Sequence, residues 1–288
     1  MDVIRALMDA GFERVIALDG ASCGQEAATV LLALWRYEAE ADVPQGEAWI
    51  HPYYLASQRA YRAASAVANA SDGTWMLRDD IRLKPIFARL PGFAQGRNTL
   101  SYAEGIGSRF HVQTLASEAV LPGRMTLEEK AHPLMCGDCR RCMAACPTGA
   151  IDEKGFHRER CLRNWMLSGK PVPETMRAMG NRLIGCDECQ RCCPHNPPPK
   201  GHEHAAYPLA WLLTSPKEAG NVLREAIGAN LALPNRVLGQ ACLLAGCSGQ
   251  AALLPVLEKL LLHPSPVVAA HAAWAAERLG GEKKKEEP

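Results

Sequence analysis

The chain has 288 residues, 48% hydrophobic and 22% charged, with 32 Lys and Arg against 31 Asp and Glu. That balance describes a globular protein of about two domains and excludes a disordered chain. No apolar run approaches the ~18 residues a membrane span needs, and Met1-Asp-Val-Ile-Arg5 does not open a secretory leader, so a soluble, cytoplasmic protein is expected. Charge is uneven: residues 1–123 carry a net −3, residues 124–199 a net +3 and residues 200–288 a net +1. The mildly basic middle permits a polyanion such as RNA without requiring one.

In chain order, Val3 to Ala10 reads as a helix ending at Gly11, and Arg14 to Leu18 as a short strand closed by Asp19-Gly20. Gln25 to Ala39 carries a long amphipathic helical pattern. Trp49 to Tyr54 is aromatic and extended, Leu55 to Asn69 is Ala-rich and helical, and Arg82 to Leu90 is a short helix stopped by Pro91-Gly92. The Gly-rich segment Gly92 to Ser108, with Gly92, Gly96, Gly105 and Gly107, interrupts regular structure and reads either as backbone that approaches a ligand closely or as an ordinary long loop. His111 and His132 flank that segment. Residues 124–199 leave little room for regular structure between cysteines and prolines, as in a module ordered by its metal ligands. Asn235–Ala245, Gln250–Leu262 and Ser265–Leu279 are three apolar-faced helices that would stack as a short α-solenoid or form a small helical cap, and Glu282 to Pro288 is a solvated tail. The expected class is α+β, in three parts: an α/β domain over 1–123, a ferredoxin-like module over 124–199 and a helical domain over 200–288.

Twelve cysteines is an unusual number, and nine of them fall between residues 136 and 193. Cys136-Gly-Asp-Cys139-Arg-Arg-Cys142-Met-Ala-Ala-Cys146-Pro147 reproduces the C-x2-C-x2-C-x3-C-P run of bacterial two-cluster ferredoxins. Two-residue gaps let three thiolates wrap one [4Fe–4S] cubane while the fourth turns toward a second. Three cysteines at this pitch with a C-P are uncommon for zinc, and a cytoplasmic setting disfavours disulfides. The second run, Cys186-Asp-Glu-Cys189-Gln-Arg-Cys192-Cys193-Pro194, has two registers. In the plain one Cys186, Cys189 and Cys192 join Cys146, leaving Cys161 spare. In the other, Cys161 supplies the ligand and Cys192 is spare. Both give Cys193 to the cluster of Cys136, Cys139 and Cys142. Cys23, Cys242 and Cys247 lie in apolar stretches and read as buried small hydrophobes.

Cys136 to Ile151, Arg160-Cys161, and Gly180 to Gln190 with Cys193-Pro194 together resemble the epoxyqueuosine reductase family. Such enzymes are cobalamin-dependent iron–sulfur proteins that remove the epoxide oxygen of epoxyqueuosine in tRNA, and they are related to reductive dehalogenases. The resemblance extends from about Ile81 to the end. It implies one cluster on Cys136, Cys139, Cys142 and Cys193, and a second on Cys146, Cys161, Cys186 and Cys189. Gly96-Arg-Asn-Thr99 and Gly107-Ser108 are similar to the family's cobalamin-facing elements, which implies cobalamin contacts at Arg97, Asn98, Thr99, Ser101 and Ser108. Asn235 to Ala241 and Pro266 to Ala275 are similar to the helical-repeat (HEAT-like) tail of many members, which implies a tRNA-contacting surface. Where the family carries a proton-donating Asp in an Asp-Thr-x-Pro pattern, this chain reads Trp75 to Arg82, making Asp80, then Asp79, the candidate catalytic acids.

The implied chemistry is an electron wire. Two clusters at roughly −400 mV accept single electrons, from a donor such as flavodoxin or ferredoxin, and pass them to cobalamin. A buried carboxylic acid of raised pKa then protonates the leaving oxygen. A monomer is expected. The alternative is a non-catalytic two-cluster electron-transfer protein, and a third reading is an RNA-binding protein with structural clusters.

Overall fold

The computed structural model describes residues 1–40, 44, 46–127, 129, 134–168, 177–199, 202–203 and 205–286. His132 and the last two residues of the tail lie outside them. The chain forms two compact units, each assembled from separate stretches of sequence: one of Met1–Ala39, Ala56–Ala144 and Cys189–Gly201, the other of Glu40–Leu55, Ala145–Glu188 and His202–Pro288.

The first unit is built on a four-stranded antiparallel sheet in the order Arg14–Asp19, Thr29–Arg36, Phe110–Ser117, Met76–Arg78. The helix expected over Gln25–Ala39 is therefore a strand. Thr29–Arg36 pairs along its whole length, Val30 with Ala116 and Leu34 with Val112 on one side, Leu18 and Arg14 on the other. Its residues alternate between two cores. Val30, Leu32 and Leu34 pack with Ile86, Phe87, Phe93 and Phe110, whereas Leu31 and Ala33 pack with Leu7, Ala60, Ala64 and Trp75. A strand buried on both faces is apolar at every position, which erases the period-two pattern and leaves a run that a helix could equally produce. Burying each such Leu contributes about 2 kcal/mol, enough to override helix propensity.

Val3–Asp9 forms the expected helix, capped by Asp2, whose Oδ1 accepts the Arg5 N–H at 3.1 Å. Leu83–Phe87 is the expected short helix. The Gly-rich segment, read as an interruption, contains a hairpin of Phe93–Gln95 and Ser101–Ala103 with Phe93 opposite Ala103. Its turn closes through Gly96 N–H to the Leu100 carbonyl at 2.9 Å and Thr99 N–H to the Gly96 carbonyl at 2.9 Å, with Thr99 at φ 61.

In the second unit Glu47–Ile50 lies between Arg182–Ile184, parallel, and Ala206–Pro208, antiparallel. Trp49 to Tyr54 is thus extended only to Ile50. At Pro52 the chain enters the helix Pro52–Asn69, because His51 Nδ1 accepts the Tyr53 N–H at 3.1 Å and proline suits a first turn. Helices at Leu209–Thr214, Pro216–Ile227, Pro234–Cys247, Leu254–Leu260 and Pro266–Glu286 complete the unit. The three expected C-terminal helices are all present. The middle one is shortened by a 3-10 turn at Ala251–Leu253. Pro234–Cys247 and Pro266–Glu286 pack closely, since a Cβ on Gly246 would stand 2.8 Å from Ala275 Cα. Of the three cysteines read as buried, Cys242 is buried, and Cys23 and Cys247 are partly exposed. Among the described residues no helix is long and apolar enough to cross a membrane.

Candidate iron–sulfur centre

Within the first unit Cys136, Cys139, Cys142 and Cys193 line one cavity together with Arg97, Asn98 and Tyr102. Local turns deliver the thiols. The Cys139 N–H bonds to the Cys136 carbonyl at 2.9 Å around Gly137, at φ 49. The helix Arg141–Ala145 then turns Cys142 inward, and Cys193 follows the helix Glu188–Arg191, its N–H on the Gln190 carbonyl at 3.2 Å. Burial pushes the Cys142 thiol up, and the thiols of Cys136, Cys193 and Cys139 add to it. Cys192 is pushed up to about 11 by burial, then by Cys142 and Cys193. A thiol pushed up in this way ionises when a bound cation offsets the burial. Among the described residues no three His, Cys, Asp or Glu side chains close on a single ion. Four thiols around a shared cavity suit a cubane.

The Gly-rich segment supports this cavity. The Arg97 N–H donates to Cys136 Sγ at 3.2 Å, and its guanidinium to the Gly137 carbonyl at 3.1 Å. Asn98, buried, donates to Tyr102 Oη at 3.0 Å and to the Cys189 carbonyl at 3.2 Å. Ser108, also buried, donates from its N–H and its hydroxyl to Asn196 Oδ1, at 2.7 and 3.0 Å. Gln190 Nε2 donates to the Ser108 carbonyl and hydroxyl, each at 3.0 Å. Tyr102, Gln190 and Asn196 take part in this support, and sequence reading missed them. Burial pushes the Tyr102 phenol up, and the neighbouring Cys193 adds to it.

These contacts also test the five residues that the resemblance gives to cobalamin. Asn98 and Ser108 are engaged by the cysteine loop, as is the Arg97 backbone. The glycines beside them are filled by protein: a Cβ on Gly96 would stand 2.6 Å from Asn98 Oδ1, and one on Gly107 would stand 2.4 Å from Asn196 Oδ1. Ser101 belongs to the hairpin and Thr99 to its turn. Three of the five, Asn98, Ser108 and the Arg97 backbone, thus serve the cluster loop.

Asp80 and Asp79 are both exposed. Asp80 takes two bonds from the Arg78 guanidinium, at 2.8 and 2.6 Å, and these hold its carboxyl below the usual range. That is the reverse of the buried acid of raised pKa expected of a proton donor. His111 sits in the sheet, its Nε2 2.9 Å from Gln113 Nε2.

In the second unit, Cys146 Sγ accepts the Ala150 N–H at 3.2 Å and lies 3.7 Å from Thr148 Oγ1. Cys161 precedes the helix Leu162–Ser168, whose Arg163 donates to Tyr54 Oη at 2.8 Å and lies 5.0 Å above the Tyr53 ring. Cys186 is pushed up to about 11 by burial. It follows Gly185, at φ 99, where a Cβ would stand 2.3 Å from His51 Cβ, so only glycine passes there.

The fold and the thiols define the class: residues 135–196 match the family described as a 4Fe-4S double cluster binding domain. The more particular likeness is to the epoxyqueuosine reductases, as the cysteine runs led one to expect. The chain is 32% identical to the epoxyqueuosine reductase of Bacillus subtilis (strain 168) over 165 residues, 51% of this chain and 41% of that one. It is 30% identical to that of Pseudomonas aeruginosa over 204 residues, 64% of this chain and 54% of that one. The matched stretches thus span about half the length of these relatives. A crystal structure of an epoxyqueuosine reductase with a tRNA-Tyr epoxyqueuosine-modified tRNA stem loop shares the fold, with TM-score 0.73 and 19% identity over 100% of this chain and 94% of that one.

Proposed function

We propose that the chain is an iron–sulfur oxidoreductase of the epoxyqueuosine reductase type, in which two [4Fe–4S] clusters take up single electrons and deliver them to reduce a substrate. The convergence of Cys136, Cys139, Cys142 and Cys193 on one cavity carries this reading. The second cluster is assigned to Cys146, Cys161, Cys186 and Cys189, with Cys192 left as a spare thiol. Its electrical neighbours Cys142, Cys193 and Cys139 support that choice, because they belong to the first quartet. The relatives' name gives the substrate class, epoxyqueuosine in tRNA. The donor is a low-potential carrier of the flavodoxin or ferredoxin class, and the protein works as a cytoplasmic monomer with its C-terminal helices on the tRNA.

Bound cobalamin would supply a strongly reducing metal to break the epoxide C–O bond. The contacts of Asn98 and Ser108 with the cysteine loop, and the ion-paired Asp80, favour a second reading: a two-cluster electron-transfer protein that reduces a docked redox partner.

Anaerobic reconstitution with iron and sulfide, metal analysis and a cobalamin titration followed by EPR test both. About eight Fe per chain with turnover of epoxyqueuosine-modified tRNA supports the reductase. Eight Fe without corrinoid binding or turnover selects the electron carrier, and iron below one cluster per chain sinks both.

A further inference from the structure

Asn98 Oδ1 accepts the Leu100 N–H at 3.2 Å, which fixes the side-chain amide with Nδ2 facing Tyr102. Nδ2 donates to Tyr102 Oη at 3.0 Å. An amide NH2 accepts nothing, so the phenol oxygen receives that bond and its own hydrogen must go elsewhere. Cys193 Sγ, at 3.2 Å, is the acceptor in place. Ser108, also beside the phenol, gives its proton to Asn196 Oδ1 and accepts from Gln190 Nε2. Tyr102 is only 4% exposed, so water does not compete for this bond. Gly96 makes the arrangement possible, since a Cβ there would stand 2.8 Å from the Tyr102 ring.

We propose that the Tyr102 hydroxyl, oriented by Asn98, donates to the Cys193 thiolate of the cluster on Cys136, Cys139, Cys142 and Cys193 and raises that cluster's reduction potential. The inference rests on the ligand set proposed above. A reduced cluster carries one more negative charge, shared with its thiolate sulfurs. A donor on sulfur therefore stabilises the reduced state more than the oxidised one, and more strongly in a dry site. The Arg97 N–H on Cys136 Sγ belongs to the backbone and survives side-chain changes. The Tyr102 hydroxyl is a side-chain contact, through which the sequence can tune this centre.

Potentiometric titration of the reconstituted full chain, read by EPR, tests this with Tyr102→Phe. The variant is expected to hold as much iron and sulfide as the native protein. One of its two midpoint potentials should move to a more negative value while the other stays put. Placing 3-fluorotyrosine at position 102 gives a stronger donor of nearly the same shape, which should move the same potential the opposite way, and it decides the matter if the Phe variant fails to load. Two unmoved potentials in a fully loaded variant, or equal shifts of both, overturn the proposal. Native protein that binds less than two clusters' worth of iron overturns the ligand reading, and this proposal with it, by a separate readout.

Discussion

Replacing Asn196 with alanine should release the cysteine loop that carries Cys193. Asn196 Oδ1 holds the Ser108 N–H and hydroxyl at 2.7 and 3.0 Å, and its Nδ2 donates to the Gln190 carbonyl at 2.7 Å. Ser108 is 5% exposed and Gln190 6%, so Asn196→Ala leaves two buried donors and a carbonyl without their partner. Each unmade bond of this kind costs about 1–3 kcal/mol. Asn196 itself is half-buried and admits some water, so about 3 kcal/mol in total is a reasonable sum, or about 100-fold in the opening equilibrium of the loop. Iron leaves a cluster through such local opening. In anaerobic protein with a ferrous chelator, half of the iron should therefore leave about 100-fold faster than in the native chain, the other half at the native rate. Asn196→Asp keeps both acceptor bonds to Ser108 but sets a carboxylate oxygen against the Gln190 carbonyl, and an acceleration of about 10-fold is expected. Native release kinetics in Asn196→Ala, or equal acceleration of all the iron, would refute the reasoning.

Three further outcomes are expected. Cys161→Ser should lower bound iron from about eight to about four per chain, whereas Cys192→Ser keeps about eight; the reverse pattern assigns Cys192 to the second cluster. Arg78 holds the Asp80 carboxyl below its ordinary 3.8, so any stability it adds is present above that pH and is lost as pH falls through the depressed value. Carbon NMR of labelled aspartate should find its midpoint below 3.8, and a midpoint near neutrality would restore Asp80 as a proton donor. Burial lowers the His271 pKa below 6.5, its Nδ1 lying 3.0 Å from the Gly239 carbonyl and its Nε2 buried without a partner among the described residues. The unfolded chain then binds the extra proton first, so stability is full above 6.5 and falls as pH drops through 6.5 toward the folded value. Thermal melts at pH 7.5 and 5.5 should show this loss in the native protein and a smaller one in His271→Gln.

Much of the fold could be read where one face of an element meets solvent. Val3–Asp9 and the C-terminal helices Leu254–Leu260 and Pro266–Glu286 keep their period because one side is wet and the other dry. Thr29–Arg36 misleads for the opposite reason, since its sheet partners and two cores leave no wet side to mark the period. His51 misleads in another way. It ends a strand and caps a helix within two residues, and the cap depends on a ring nitrogen reaching the Tyr53 N–H, which no propensity records.

The thiols were legible because cluster chemistry imposes its spacing within a dozen residues. Their supports were not, because the contacts join positions far apart: Asn98 with Cys189, Tyr102 with Cys193 and Ser108 with Asn196 are 91, 91 and 88 residues distant. A window that reads Gly96, Asn98 and Ser108 alone sees a glycine-rich loop with polar groups and assigns it a ligand. The structure gives those groups a partner inside the chain. Gly96 and Gly107 lack side chains because Asn98, Tyr102 and Asn196 occupy the space, and the polar atoms beside them close the loop around Cys193. In this chain that closure serves the cysteine quartet, whether its electrons go to a corrin or to a docked partner. A resemblance at these residues is therefore stronger support for the iron–sulfur centre than for cobalamin.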